Sequence, residues 1–269
     1  MTTSVSWIPF EKEPVGKKGL GLIGHPLSHS FSKKFFADKF EKEHIHDFYY
    51  DLFPIPDISL VPELFHRFPN LIGLNVTIPY KKAVIPYLDD LQEEAAAVGA
   101  VNVIKRTQTG LKGFNSDIFG FGESLHKFLQ VSEASTLKNA LVLGNGGAAK
   151  AVLYQLPKMG IWPTLVSRSP TPDGITYADL TPELMNLNRL IIQTTPLGMS
   201  PQIDEAPDIP YALLTPGHLL YDLIYNPTET LFLQKGRERG AKIRNGYEML
   251  ELQALKSWEI WTSDLSYEP

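Results

Sequence analysis

The feature that most constrains this chain is a short apolar run, residues 139–143 (NALVL), that passes directly into Gly144-Asn145-Gly146-Gly147-Ala148-Ala149 and then into KAVLYQL. Strand, tight turn and helix are the elements those three compositions favour. In a turn of the form G-x-G-x-x-G/A the first glycine permits the sharp reversal and the second lets backbone approach a pyrophosphate. The small residue at the third position lets the helix pack closely on the strand. The first N–H groups of the helix, with its dipole, favour an anion there. A lone match would read as an ordinary glycine-rich turn; the strand before it and the helix after it favour a dinucleotide site over Gly144, Asn145, Gly146, Gly147, Ala148 and Ala149.

The next strand, residues 163–167 (PTLVS), ends in Ser167-Arg168-Ser169. A carboxylate at that place would pair with the ribose 2′-hydroxyl of NAD. A guanidinium flanked by two hydroxyls suits a 2′-phosphate, through charge-assisted bidentate bonds. NADP is therefore expected, the plain alternative being that Arg168 is a solvated surface arginine.

The rest of the chain alternates strand and helix signals, which implies an α/β fold with a mainly parallel sheet in each of two halves. Strands are expected over 19–24, 49–53, 71–78, 100–105, 111–114, 189–193, 218–224 and 241–244. Helices are expected over 30–44, 62–68, 90–98, 118–128 and 247–262, with a hairpin turn at Thr109-Gly110. The length, 269 residues with 43% hydrophobic, is ample for a core without metal or disulfides. The absence of cysteine excludes a disulfide scaffold, a thiolate zinc site and a cysteine nucleophile, and fits a reducing, cytoplasmic setting. A net charge of −5 argues against nucleic-acid binding, and no apolar run approaches the ~20 residues that span a bilayer. Residues 1–18 carry no apolar signal segment and read as an extension. No clustered histidines suggest a metal.

Polar residues recur in the first half where a fold would not need them. Ser28 and Ser30 flank His29, Asn75 and Thr77 share one side of an apolar strand, Lys81 follows a strand end, Asn102 sits within VNV, and Asn115-Ser116-Asp117 joins a strand to a helix. Each has a plain reading alone: Ser30 and Asp117 as helix caps, Lys81 as a solvated helix start, Asn102 as a loop tie. Together they offer hydroxyls, amides, an amine and a carboxylate, the composition of a pocket for a small polyhydroxylated acid.

Read in order, GHPLSHSFS (24–32), NVTIPYK (75–81), AVGAVNVI (97–104), GFNSDIFGF (113–121), GNGGAAKA (144–151), TTPLGM (194–199), DLIYNPTETLFL (222–233) and GYEMLELQA (246–254) resemble the shikimate dehydrogenases from about Gly21 to Thr262. The resemblance implies two domains. A shikimate-binding domain would span 19–116 plus 246–269, and a Rossmann-like NADP domain 117–245. It implies reversible reduction of 3-dehydroshikimate to shikimate in aromatic amino-acid biosynthesis, by a monomer or homodimer.

Carried over by motif, Ser28 and Ser30 would hold the substrate carboxylate with Thr77 and Asn75 nearby, and Asn102, Asp117 and Gln253 would bind ring hydroxyls. Tyr225 would line the same cleft. Lys81 would be the central catalytic residue, paired with Asp117. Ser167, Arg168, Ser169, the glycine turn and Thr195 would bind NADP, with Met199 and Gly246 near its nicotinamide. Three departures stand out. Ser167-Arg168-Ser169 replaces N-R-T with no second basic residue close behind, Gln193 replaces an asparagine, and N-S-D replaces N-T-D.

With no thiolate and no metal suggested, proton transfer falls to a side chain, with Lys81 moving the proton or stabilising oxyanion charge and Asp117 orienting it. The competing readings are a quinate or aminoshikimate dehydrogenase and a non-catalytic NADP- or ligand-binding homologue. Arg168 and the two serines speak against the quinate reading; retention of Lys81 and Asp117 speaks against the non-catalytic one.

Overall fold

The computed structural model describes residues 13–27 and 30–263. They fall into two compact units, one of residues up to Ser116 and from Ala254 onward, the other Asp117–Gln253. The chain passes back to the first unit inside its last helix, whereas the sequence suggested a boundary ahead of that helix, at residue 246.

The first unit carries β1 (Lys18–Ile23), α1 (Phe31–Lys42), β2 (Phe48–Phe53), α2 (Val61–Arg67), β3 (Leu71–Val76), α3 (Tyr80–Ala83), β4 (Asp90–Leu91), α4 (Glu93–Val98), β5 (Val103–Thr107) and β6 (Gly110–Phe114). Its sheet runs β2-β1-β3-β5-β6-β4. The first three strands are parallel, as expected. The Thr109-Gly110 hairpin makes β5 antiparallel to β6, and β5 also runs antiparallel to β3, so this sheet is mixed.

The helix expected over 90–98 begins late, because Asp90 and Leu91 pair with β6 instead, and Gly99 closes it at φ +64. Lys18, assigned to the extension, opens β1, and Glu13 accepts hydrogen bonds from Tyr49 Oη (2.9 Å) and Asn70 N (3.1 Å). Part of the extension is therefore tied to this unit.

Side chains alternate across the sheet. Leu71, Leu74 and Ile104 join Phe53, Leu64 and Phe68 on one side. Leu20 and Val103 join Phe36, Tyr50, Ala254 and Trp261 on the other. The Phe36 ring stacks on Tyr50 with centroids 4.5 Å apart, and Trp261 donates its indole N–H to Ile104 O at 2.9 Å. Each such buried aromatic contributes roughly 1.5–3 kcal/mol of burial energy.

The second unit follows with α5 (Ser116–Val131), β7 (Asn139–Leu143), α6 (Gly147–Lys158), β8 (Trp162–Ser167), β9 (Gly174–Thr176), α7 (Pro182–Leu187), β10 (Leu190–Gln193), β11 (Leu219–Asp222), α8 (Leu231–Glu238), β12 (Lys242–Arg244) and α9 (Tyr247–Thr262). All its strand pairs are parallel, in the order β12-β11-β10-β7-β8-β9. This is the doubly wound dinucleotide-binding order, whose switch point lies between β7 and β10. Ala140, Val142 and Ile192 face one core and Leu141, Leu143 and Ile191 the other. Three elements here lie outside the spans expected from the sequence: β9 and α7 are too short to show a period, and α8 carries an interior glycine, Gly236. No described helix is long and apolar enough to cross a membrane.

Candidate functional site

The turn after β7 is built as its residues suggest. Gly144 takes φ +106, its N–H donates to Val166 O (2.8 Å), and a side chain there would meet the Cγ2 of Thr195 at 2.6 Å. Ala149 is buried in the core that also holds Val142, which is the close helix–strand packing its small size allows. Around Gly146 and Gly147 the opposite holds: a Cβ at either would meet nothing within 4 Å. Gly146 caps α6 without any side-chain hydrogen bond to the helix start. The first amides of a three-turn helix therefore lie beside open space.

That space is a cavity of about 480 Å³ at the carboxyl ends of β7, β8 and β10, lined by Gly144, Asn145 and Gly146, by Ser167, Arg168 and Ser169, and by Thr194 to Leu197. It lies at the switch point, where open α/β sheets bind ligands. Arg168 and Ser169 are exposed on its wall. Ser167 is buried, and its hydroxyl donates to Ser169 O (2.5 Å), so it braces the turn. Thr171 and Tyr177, which no sequence signal singled out, complete the wall, and Thr171 Oγ1 is buried with no hydrogen-bond partner among the described residues.

Gln193 shapes the opposite rim. It is fully buried, its Oε1 accepts from Thr195 N and Oγ1 (both 3.1 Å), and its Nε2 donates to Leu197 O (3.3 Å). The substitution noted at this position thus keeps a side-chain amide spanning the loop. Met199 ends that loop and is 44% exposed.

On the next strand Asp222 is fully buried; its Oδ1 accepts from Ile224 N (2.9 Å) and its Oδ2 from Thr230 Oγ1 (2.6 Å). Burial pushes its carboxyl up to about 7, against the lowering by those two bonds. It holds both ends of the loop bearing Tyr225, which is 40% exposed. The Asp at the head of the DLIYNP segment, with a threonine at the end of the same loop, was the signal available for this role. Gly246 donates to Ile224 O (3.0 Å), and a side chain there would fall on the backbone of Leu223. Close backbone approach alone therefore requires that glycine.

In the first unit the polar residues form a connected network. Asn75 Oδ1 accepts from Tyr50 Oη (2.9 Å), and its Nδ2 donates to Ser257 Oγ (2.9 Å) and Asn102 O (3.2 Å). Asn102 Oδ1 accepts from Ser116 N (2.7 Å), and its Nδ2 donates to Ser116 Oγ (3.0 Å). Asn75, Asn102, Ser116 and Ser257 are all buried. The substrate contact expected at Asn75 thus meets an amide already engaged on both its atoms.

Thr77 lies just past the end of β3, its N–H donating to Ile23 O (3.0 Å), and is half-buried. Lys81, in the first turn of α3, is half-buried, and its carbonyl accepts from Val101 N (2.7 Å). Ser30 caps α1, accepting from Lys33 N (3.3 Å). Ser28 lies outside the described residues. Asp117, in the first turn of α5, and Gln253, whose Nε2 donates to Leu250 O (3.0 Å), belong to the second unit.

Residues 22–104 match the family model of the shikimate dehydrogenase substrate-binding domain. A protein of Desulforamulus reducens named NADP-dependent shikimate dehydrogenase is 36% identical over 262 residues, covering 90% of this chain and 89% of that one. One of Clostridium beijerinckii with the same name is 39% identical over 249 residues, covering 90% of each. The crystal structure of shikimate 5-dehydrogenase from Thermus thermophilus, in complex with NADP(H) and shikimate, superposes with a TM-score of 0.78 at 29% identity, covering 91% of this chain and 93% of that one. With relatives this similar over nine-tenths of its length, and with the motifs set out above, the chain belongs to the shikimate dehydrogenase family.

Proposed function

We propose that the protein is an NADP-dependent shikimate dehydrogenase that reversibly reduces 3-dehydroshikimate to shikimate in chorismate and aromatic amino-acid biosynthesis. The observation that carries this reading is the likeness over nine-tenths of both chains to proteins of that name. The second unit supports it independently, because its residues fit the cofactor. The start of α6, where the Gly146 cap offers no side chain to the first amides, the open space beside Gly146 and Gly147, and Arg168 at the end of β8 suit a pyrophosphate and a 2′-phosphate in one cavity.

When bound, NADPH supplies a hydride to the ring carbonyl carbon. The chain must then deliver a proton to the oxygen of that carbon, and remove it in the reverse direction. Lys81 is the group proposed to do so, with Asp117 orienting its amine and a ring hydroxyl. Ser28 and Ser30 would hold the substrate carboxylate, with Thr77, Asn102, Tyr225 and Gln253 around the ring. Asn75 fits a positioning role, since it holds the carbonyl of Asn102 and the hydroxyl of Ser257.

The test is an absorbance assay at the NADPH band, offering shikimate, quinate and 3-dehydroshikimate with each cofactor. Turnover of shikimate with NADP, well above that of quinate, supports the reading. Preference for quinate with NAD overturns it in favour of a quinate dehydrogenase, and no turnover with any pair favours a non-catalytic homologue.

A further inference from the structure

We infer that Tyr177 is a second determinant of cofactor choice, its phenol donating a hydrogen bond to the 2′-phosphate beside Arg168. This rests on the reading that the cavity takes NADP. A phosphate dianion is held best by several charge-assisted donors. This chain has one basic residue at the end of β8, and the Ser167 hydroxyl beside it is spent on Ser169 O. Beyond Arg168 and the exposed Ser169, a further donor has to come from elsewhere in the wall.

The topology brings one there. Parallel neighbours ordinarily need a crossover of a dozen or more residues, usually a helix. Here β8 and β9 pair in parallel with only residues 168–173 between them. The shortened connection sets the carboxyl end of β9 next to that of β8, and Tyr177 is the residue immediately after β9. It lines the same cavity as Arg168, while its ring packs against the core that contains Leu180 and Met185.

The backbone there is pinned by a capping box, in which Asp179 Oδ2 accepts from Thr176 N (2.8 Å) and Thr176 Oγ1 (2.7 Å). The phenol oxygen of Tyr177 makes no hydrogen bond among the described residues. Burial raises its pKa, and the Asp208 carboxylate adds to this against the opposing Arg168 charge. The phenol therefore stays protonated, a donor toward phosphate, where a phenolate would repel it.

The test uses the full chain and Tyr177→Phe, which keeps the packed ring and removes only the hydroxyl. Calorimetric titration with 2′,5′-ADP and with 5′-AMP reads the 2′-phosphate directly, without turnover. The wild-type protein should bind 2′,5′-ADP more tightly than 5′-AMP. In Tyr177→Phe the affinity for 2′,5′-ADP should fall about tenfold, the scale of one hydrogen bond to a charged acceptor, with 5′-AMP unmoved. In parallel KM for NADPH should rise, while KM for NADH and kcat at saturating cofactor hold. Unchanged 2′,5′-ADP binding, or an equal loss with both ligands, overturns the role of Tyr177 and leaves the NADP reading standing. A wild-type protein that binds the two ligands equally overturns the NADP reading, and the Tyr177 role with it.

Discussion

Asp222 offers a perturbation whose sign and size follow from its surroundings. Replacing it by Asn keeps the shape, keeps an oxygen to accept from Ile224 N, and turns an amide donor toward Thr230 Oγ1. What it removes is a carboxylate that burial makes costly to ionise. The folded-state value, about 7, lies above the ordinary 3.8, so the native state holds a proton that the unfolded chain has already released. The associated stability is fully present below about pH 4 and is lost as pH rises through about 7. The gap between the two values corresponds to about 4 kcal/mol.

The new contact with Thr230 has a cost, but one that does not vary with pH. The stability of Asp222→Asn relative to wild type should therefore climb by up to about 1.4 kcal/mol per pH unit between about pH 4.5 and 7, then level off. Urea unfolding followed by circular dichroism, on both proteins at each pH, measures this difference, and titrations elsewhere cancel in it. A difference that stays flat across that range would refute the reasoning, and one that falls would reverse its sign.

Further expectations concern the two halves of the site and the core. Lys81→Ala should lower kcat by roughly 10²–10⁴-fold while leaving the calorimetric affinity for NADPH unchanged; near-normal turnover would remove Lys81 from the proton-transfer role. Arg168→Ala should raise KM for NADPH by roughly tenfold or more and hardly move that for NADH, and an equal loss with both cofactors would deny it the 2′-phosphate. Gly73→Ala places a methyl group on the buried Trp261 indole, which donates to Ile104 O. It should cost roughly 1–3 kcal/mol from overpacking, with up to about as much again if the indole bond breaks, seen as a lower urea midpoint.

Much of the fold was legible because its signals are local. The run at 139–149 dictates strand, turn and helix by composition and steric need, and β7 begins and ends where the apolar run does. The last helix likewise matches its predicted span, with Ala254 and Trp261 both buried. The elements that escaped notice were those whose existence depends on neighbours. The strand β9 is three residues long and stands only because β8 pairs with it, and β4 replaces the start of a predicted helix because β6 offers it a ladder. An isolated reading of either segment has no access to those partners.

The candidate site divides along the same line. The sequence alone determined which chemical groups are available: a glycine turn for an anion, a single arginine at the end of the second strand, an amine and a carboxylate in recognisable motifs. Those are properties of residue type and spacing. Only the tertiary structure decided how each group is occupied. It engages both side-chain atoms of Asn75 in a buried network, turns the Ser167 hydroxyl inward, makes Asp222 the tie of the Tyr225 loop, and sets Tyr177 in the cofactor wall. The physical reason is that hydrogen-bond partners and burial are supplied by residues distant in the chain, so a side chain's identity states what it can offer, and its folded surroundings settle what remains to be offered to a ligand.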